Sequence, residues 1–161
     1  MKKTFSYVLT LISLSGCVTA PIPDNYSGPI ATIRDTVVSE SSNRSQFYFL
    51  SEIDGQKVDN VLFASRKANS GRGFSLSTVN FTRDVPAKTS MLKFEARIGY
   101  GAPIQELLNS GTVYTMEKTI NFTPESNKTY VVKGTLTADQ KEVWLEDAET
   151  GKRVELAPVA K

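Results

Sequence analysis

Cys17 is the one cysteine of this 161-residue chain and carries its most reactive side chain. A thiolate is the strongest nucleophile among the common side chains, and the small residues Ser15 and Gly16 leave it accessible. The chain has no histidine, so neither a Cys–His pair nor a Ser-His-Asp triad can be assembled. The role of Cys17 therefore has to be read from the segment that carries it.

The other catalytic combinations are excluded or weak. Without histidine, and with a single thiol, the chain cannot supply the ligands of a tetrahedral zinc site. Ser90 and Lys93 have the Ser-x-x-Lys spacing of penicillin-binding enzymes. Their segment alternates as a strand, however, and a strand sends residues three apart to opposite faces. We expect no catalytic residue, no metal ion and no cofactor, and hence a protein that is not an enzyme.

An acidic group near the C-terminus is the remaining source of chemistry. It could supply oxygen ligands for calcium or the carboxylate pair of a glycosidase. Basic residues are interleaved with it, which favours the solvated face of a hairpin. The group consists of Asp139, Glu142, Glu146, Asp147 and Glu149.

Three side chains are candidates for contact with a ligand or partner. Trp144 lies between two glutamates and could stack on a sugar ring or a partner surface, although burial against a second sheet is the favoured alternative. Tyr100 opens a Tyr-Gly-Ala-Pro segment that predicts an exposed aromatic loop. Arg72 lies between two glycines in a basic loop that could meet an anion such as a lipid phosphate, or be merely solvated.

The N-terminus is organised as a secretory signal. Lys2 and Lys3 precede an apolar run of about ten residues, which is half of the ~20 that a membrane-spanning helix needs. The run ends in Leu-Ser-Gly-Cys at residues 14–17, which resembles the lipobox of bacterial lipoproteins. The resemblance implies cleavage before Cys17, with a thioether diacylglycerol and an N-acyl chain on this residue as a permanent membrane anchor. Val18, where that family uses Asp for inner-membrane retention, implies the periplasmic side of the outer membrane.

These features predict three parts: a cleaved signal peptide with a signal helix (residues 1–16), a lipidated Pro-rich tether (17–29) and one domain (30–161). About twelve tether residues in an extended form would reach roughly 37 Å. Two of the 19 basic residues leave with the signal, which brings the domain close to neutrality against 17 acidic residues. The domain therefore lacks the basic field of a nucleic-acid-binding protein.

The domain has an all-β pattern. Apolar residues recur with period two, and about eight short strands are separated by turn residues, which predicts an antiparallel β-sandwich of immunoglobulin or transthyretin type. A small closed barrel is the alternative architecture. Residues 57–68 suit a short helix as well as a strand, and residues 104–109 suit a helical turn.

The predicted strands cover most of the remaining chain. In the second strand, Phe47, Phe49 and Ile53 are expected on one face, with Tyr48 and Leu50 on the other, so that both faces are covered. The last three strands are expected to form a meander. The predicted strands are residues 30–38, 45–53, 74–85, 90–100, 112–122, 129–137, 141–148 and 152–159.

Two hairpin motifs carry a second resemblance. Tyr-Val-Val-Lys-Gly at residues 130–134, followed by residues 143–151, is similar to the closing hairpin of small uncharacterised bacterial envelope lipoproteins, and residues 47–55 resemble their early hairpin. These motifs are structural and bring no catalytic residue.

The anchor, the short tether, the absence of histidine and the strand pattern together predict a non-enzymatic envelope lipoprotein that binds or assembles with an envelope protein. The sequence does not predict its oligomeric state. A carbohydrate- or peptidoglycan-binding module is the first alternative, and an atypical carboxylate hydrolase is the second.

Overall fold

The computed structural model describes residues 19–154. The predicted signal helix, the lipidation site Cys17 and residues 155–159 of the last predicted strand lie outside the described residues. The strands in chain order are β1 (Ile30–Arg34), β2 (Thr36–Ser39), β3 (Arg44–Ile53), β4 (Gln56–Lys57), β5 (Thr82–Pro86), β6 (Ser90–Tyr100), β7 (Thr115–Phe122), β8 (Thr129–Leu136) and β9 (Lys141–Asp147). The helices are α1 (Val61–Asn69) and α2 (Pro103–Leu108).

The strands form two sheets. The first sheet has the order β5-β1-β8-β9, and the second has the order β2-β3-β6-β7 with the short β4 paired to β3. Neighbours are antiparallel except β1 and β8, which are parallel. The predicted all-β sandwich is confirmed, with nine strands and without closure into a barrel.

The core lies between the sheets and follows the alternation of the strands. Leu92, Phe94, Ala96 and Ile98 of β6 are buried as predicted. Gly134 in β8 makes room for the Tyr48 ring, because a Cβ at this position would overlap that ring and lie 2.6 Å from the Glu142 carbonyl oxygen. Each large apolar side chain that is fully buried here stabilises the fold by about 1.5–3 kcal/mol.

The central strand β3 is covered on both sides, as predicted. Phe47 and Phe49 pack under α1 in a small outer cluster, while Tyr48 and Leu50 face the core. The expected face of Ile53 is wrong, since Ile53 belongs to the core. A β-bulge between Leu50 and Glu52 shifts the register there and reverses the alternation.

Four predicted strands differ in extent by more than one residue. The strand predicted at residues 112–122 begins at Thr115. Of the strand predicted at residues 152–159, the described residues 152–154 form only an isolated bridge of Arg153 with Glu146, so the described part of the predicted meander consists of β8 and β9. Residues 30–38 are divided at Asp35, so that β1 joins the first sheet and β2 joins the second. Of residues 74–85, only those from Thr82 onward form a strand. The backbone amides of Ser77 and Val79 donate to the side chains of Asn69 and Ser65 at 2.8 and 3.2 Å, which holds this segment as a loop.

Both helices match the segments that allowed them to within one residue, since α1 ends at Asn69 and α2 begins at Pro103. Asn60 caps α1 by accepting from the Phe63 amide at 3.0 Å, and Pro103 occupies the first turn of α2. Within residues 19–154, neither helix is long and apolar enough to cross a bilayer.

The described part of the predicted tether, residues 19–29, lies against the domain, and we call it the strap. The Thr19 amide donates to the Lys57 carbonyl of the second sheet, and the Ala87 amide donates to the Pro29 carbonyl beside the first sheet, both at 2.8 Å. The strap thus crosses one end of the sandwich, over an apolar cavity of about 210 Å³. We call this the near end, and we call the opposite end, where β6 leads into α2, the far end.

Candidate functional site

Two loops that are distant in sequence meet at the far end. The glycine-containing loop after α1 and the segment after Tyr100 line one cavity of about 320 Å³. We call it the far-end cavity. Its polar lining includes Arg66, Asn69 and Glu106.

The glycine loop is held at its base by Asn69. Its side-chain amide donates to the carbonyl oxygens of Ser65 at 2.7 Å and Ser77 at 2.6 Å. Within the loop, Gly71 and Gly73 have φ values of +78° and +73°, which other residues adopt only with strain. This wall of the cavity is therefore defined by hydrogen bonds and by backbone conformation.

Gly101 brings the second loop against the first. A Cβ at this position would lie 2.6 Å from the Ser75 carbonyl oxygen and would also overlap the Phe74 carbonyl. Only glycine permits this close approach, so Gly101 sets the spacing between the two walls.

Glu106 connects α2 to the rest of the domain. Its two carboxylate oxygens accept from Arg66 of α1 at 2.6 Å and from Arg97 of β6 at 3.2 Å. One carboxylate therefore faces two guanidinium groups, and this triad retains a net positive charge. A surface with this positive charge favours a ligand or partner that carries an acidic group.

Exposed apolar side chains lie on α2 and on the adjoining loop. Leu107 and Leu108 are 70% and 77% exposed, and Phe74 and Ile104 are also exposed. We call these four residues the apolar rim. Ile104, Leu107 and Leu108 are spaced i, i+3 and i+4 and so share one face of α2. Exposed apolar side chains that lie together mark interaction surfaces more often than isolated ones do.

Tyr100 lies at the cavity, but its ring is not exposed. Only 8% of the residue is accessible, because it is the last inward-facing residue of β6. Its hydroxyl is 3.4 Å from the Thr112 hydroxyl. The predicted exposed aromatic loop is therefore wrong for this ring, although Tyr100 still lines the cavity.

Arg72 is exposed within the glycine loop, and its amide donates to the Asn69 carbonyl at 3.0 Å. The structure thus places Arg72 in the loop beside Tyr100. Trp144 belongs to β9 of the first sheet and is not part of this group.

Trp144 is half-buried on the outer face of its sheet. The Arg153 guanidinium covers the ring at 3.7 Å from its centroid, and the indole N–H donates to Glu146 at 2.6 Å. The favoured burial against the second sheet is wrong, since Val143 and Leu145 occupy the core side of β9.

The acidic group does not converge on one point. Glu142 accepts from Arg153 at 2.7 Å, and Asp147 accepts the amides of Glu149 and Thr150 at 2.9 Å each. Hydrogen bonds to the Asp147 carboxylate hold its pKa below the usual range, and the bond from the Thr150 amide has the largest effect. Among residues 19–154, no cluster of three acidic, histidine or cysteine residues could hold a metal ion.

A buried ion pair, Asp35 with Arg83, was not anticipated from the sequence. The Asp35 carboxylate also accepts from the amides of Leu50 at 3.2 Å and Val61 at 3.0 Å. Burial raises the pKa of Asp35 to about 6, against the opposing effect of the Arg83 charge and these hydrogen bonds. An aspartate inside a run of β-branched residues, at 30–38, was the available signal.

Comparison of the chain with protein-family models, with curated proteins and with solved structures finds no significant match.

Proposed function

We propose that this chain is a lipid-anchored envelope protein without enzymatic activity, held at the periplasmic side of the outer membrane. In this proposal Cys17 carries the lipid, and the β-sandwich is a binding or assembly module for another envelope protein. The signal-like run and its Leu-Ser-Gly-Cys ending support the anchor. The acidic side chains Glu142, Glu146 and Asp147 are each held in an ion pair or a hydrogen bond, as described above. This supports a module that binds a partner and does not catalyse a reaction.

The apolar rim is the observation that carries the binding role. Leu107 and Leu108 project from a helix that Glu106 holds in place on two sides. Apolar anchors on a rigid support lose little entropy on binding, and a polar border excludes the wrong partners. The partner that fits has an apolar recess bordered by acidic groups that face Arg66 and Arg97.

The two alternatives receive less support from the same geometry. Carbohydrate binding needs an accessible aromatic face, but Arg153 covers the Trp144 ring and Tyr100 is buried. A carboxylate hydrolase needs two acids around a substrate, whereas Glu142 is bonded to Arg153 and Glu146 to Trp144. We therefore favour a protein partner.

Photo-crosslinking in intact cells tests the binding role. A photoreactive residue at Leu107 should capture one dominant envelope protein, and the matched position Val38, which is 52% exposed on β2, should not. Equal capture of many proteins from both positions would contradict the proposal.

The anchor is tested separately. Cys17→Ser should release the protein from the membrane fraction, and mass analysis of the unaltered protein should find a lipidated Cys17 at its N-terminus. Retention of the variant in the membrane, or an unmodified thiol, would contradict the anchor.

A further inference from the structure

The strap fixes where the chain leaves the domain. At one end of the strap, the Thr19 amide is bonded to the Lys57 carbonyl in β4, and at the other end Pro29 is bonded to Ala87. Between them, Ala20, Pro21 and Pro23 line an apolar cavity together with Ile53, Val58 and Pro86. The strap is thus part of the near end of the sandwich, attached to both sheets.

Only Val18 separates Thr19 from Cys17. Two residues of extended chain span at most about 7 Å. A lipid on Cys17 would therefore lie within about 7 Å of the Thr19 position, beside the turn that connects β3 to β4. The spacer of roughly 37 Å that the composition suggests is not available to such an anchor, because Thr19, at the start of the strap, is itself bonded to the domain.

We propose that the domain stands on the bilayer on its near end, with the β3–β4 turn and the start of β6 against the lipid surface. This inference rests on the proposed anchor and names its binding surface. The occupant is the leaflet that holds the acyl chains of Cys17. Lys57 and Lys88 are exposed at this end and can meet lipid phosphates, and Met91 is exposed for apolar contact. The Asp54 carboxylate beside them accepts from the Met91 amide at 2.8 Å.

This orientation sets the height of the far end. β6 runs from the near end to α2 over 11 residues. At about 3.3 Å per residue, it carries α2 roughly 35 Å from the lipid surface. The apolar rim then points away from the membrane, and its partner must present its recess at that height.

Energy transfer to the membrane measures this orientation. The mature lipidated protein, which begins at Cys17, is placed in vesicles of phosphatidylethanolamine and phosphatidylglycerol with a headgroup-linked acceptor dye. The donor is attached to Gln56→Cys at the near end or to Asp139→Cys in the far-end turn between β8 and β9, both exposed positions. The Cys17 sulfur does not compete for the label, because it is a thioether in the lipidated protein. We expect a transfer efficiency about two-fold or more higher at Gln56, because the two positions differ by ~30 Å in height.

A flexible control isolates the strap. About ten Gly and Ser residues inserted between Val18 and Thr19 leave the domain unchanged but free its orientation, and the two efficiencies should then converge. Equal efficiencies in the protein without the insertion, or a higher one at Asp139, would overturn the orientation while leaving the anchor intact. Protein that does not bind vesicles at all would overturn the anchor and the orientation together.

Discussion

The Asp35 carboxylate and the Arg83 guanidinium form an ion pair with 0% and 4% of their side chains exposed. The pair joins β5 of the first sheet to the point where the chain passes from β1 to β2. Arg83 also donates to the Leu50 carbonyl of β3 at 3.2 Å, and Asp35 accepts from Val61 at the start of α1. One pair of side chains thus connects both sheets and the helix.

Removal of one partner of this pair should be strongly destabilising. We expect Asp35→Ala and Arg83→Met each to lower the free energy of unfolding by about 3–5 kcal/mol, because each leaves a buried charge or donor set without its partner. The double variant Asp35→Ala with Arg83→Met should cost clearly less than the sum of the two single changes. Urea denaturation measures all three. The exposed pair of Glu142 with Arg153 is the control, and its loss should cost at most about 1 kcal/mol.

Asp35 also predicts an unusual dependence of stability on pH. Burial raises its pKa from the ordinary value of 3.8 to about 6, so between these values the native state binds the proton more tightly than the unfolded state. The contribution of Asp35 to stability is therefore largest below pH 4 and is lost as pH rises to 6. Near pH 5 the slope should be about −1 kcal/mol per pH unit.

Urea unfolding between pH 4.5 and 6.5 isolates this contribution. The chain has no histidine, so histidine titration makes no contribution to the slope in this window. Asp35→Asn should flatten the slope even if the variant is less stable throughout. A slope that the substitution leaves unchanged would contradict the assignment to Asp35.

The architecture was predictable because strand alternation records which face is buried. β6 shows this most clearly, with its apolar residues inward and Lys93, Glu95 and Arg97 outward. The same rule failed at Ile53, because a bulge adds a residue to one strand without leaving a mark in the pattern. The rule held at Tyr100, which faces the core like the other alternate residues of β6. The prediction that failed there was the exposed aromatic loop, which came from the turn-like Gly-Ala-Pro segment that follows.

The candidate site was predictable only in fragments. The glycine loop and the Tyr100 segment were recognised separately, but their meeting depends on a close approach at Gly101 that one sequence does not reveal. Glu106 was missed because a single glutamate on a six-residue helix looks like ordinary surface. The strap was interpreted from composition as a tether, since hydrogen bonds such as that of Thr19 to Lys57 depend on tertiary structure.

Gly101 should be sensitive to the smallest side chain. We expect Gly101→Ala to destabilise the domain by about 1–3 kcal/mol, because its Cβ would overlap the backbone of Phe74 and Ser75. Gly111→Ala is the matched control, since a Cβ there meets nothing within 4 Å. Urea denaturation should find a change of at most about 0.5 kcal/mol for that control. Limited proteolysis should detect earlier cleavage of the loop at residues 70–77 in Gly101→Ala alone. Equal behaviour of the two variants would contradict the close approach.

Glu106 should matter more for binding than for folding. In Glu106→Gln, the neutral amide no longer balances Arg66 and Arg97, so α2 loses the charge that holds it against α1 and β6. The groups are partly exposed, and we expect a stability loss of about 1 kcal/mol or less. The yield of the photo-crosslink from Leu107 should nevertheless fall several-fold, because the apolar rim is no longer held on a rigid support. Glu142→Gln, which removes a comparable ion pair from β9, should leave that yield unchanged. If Glu106→Gln and Glu142→Gln gave the same crosslink yield, the partner surface would not depend on α2. That result would contradict the proposed binding role of the apolar rim.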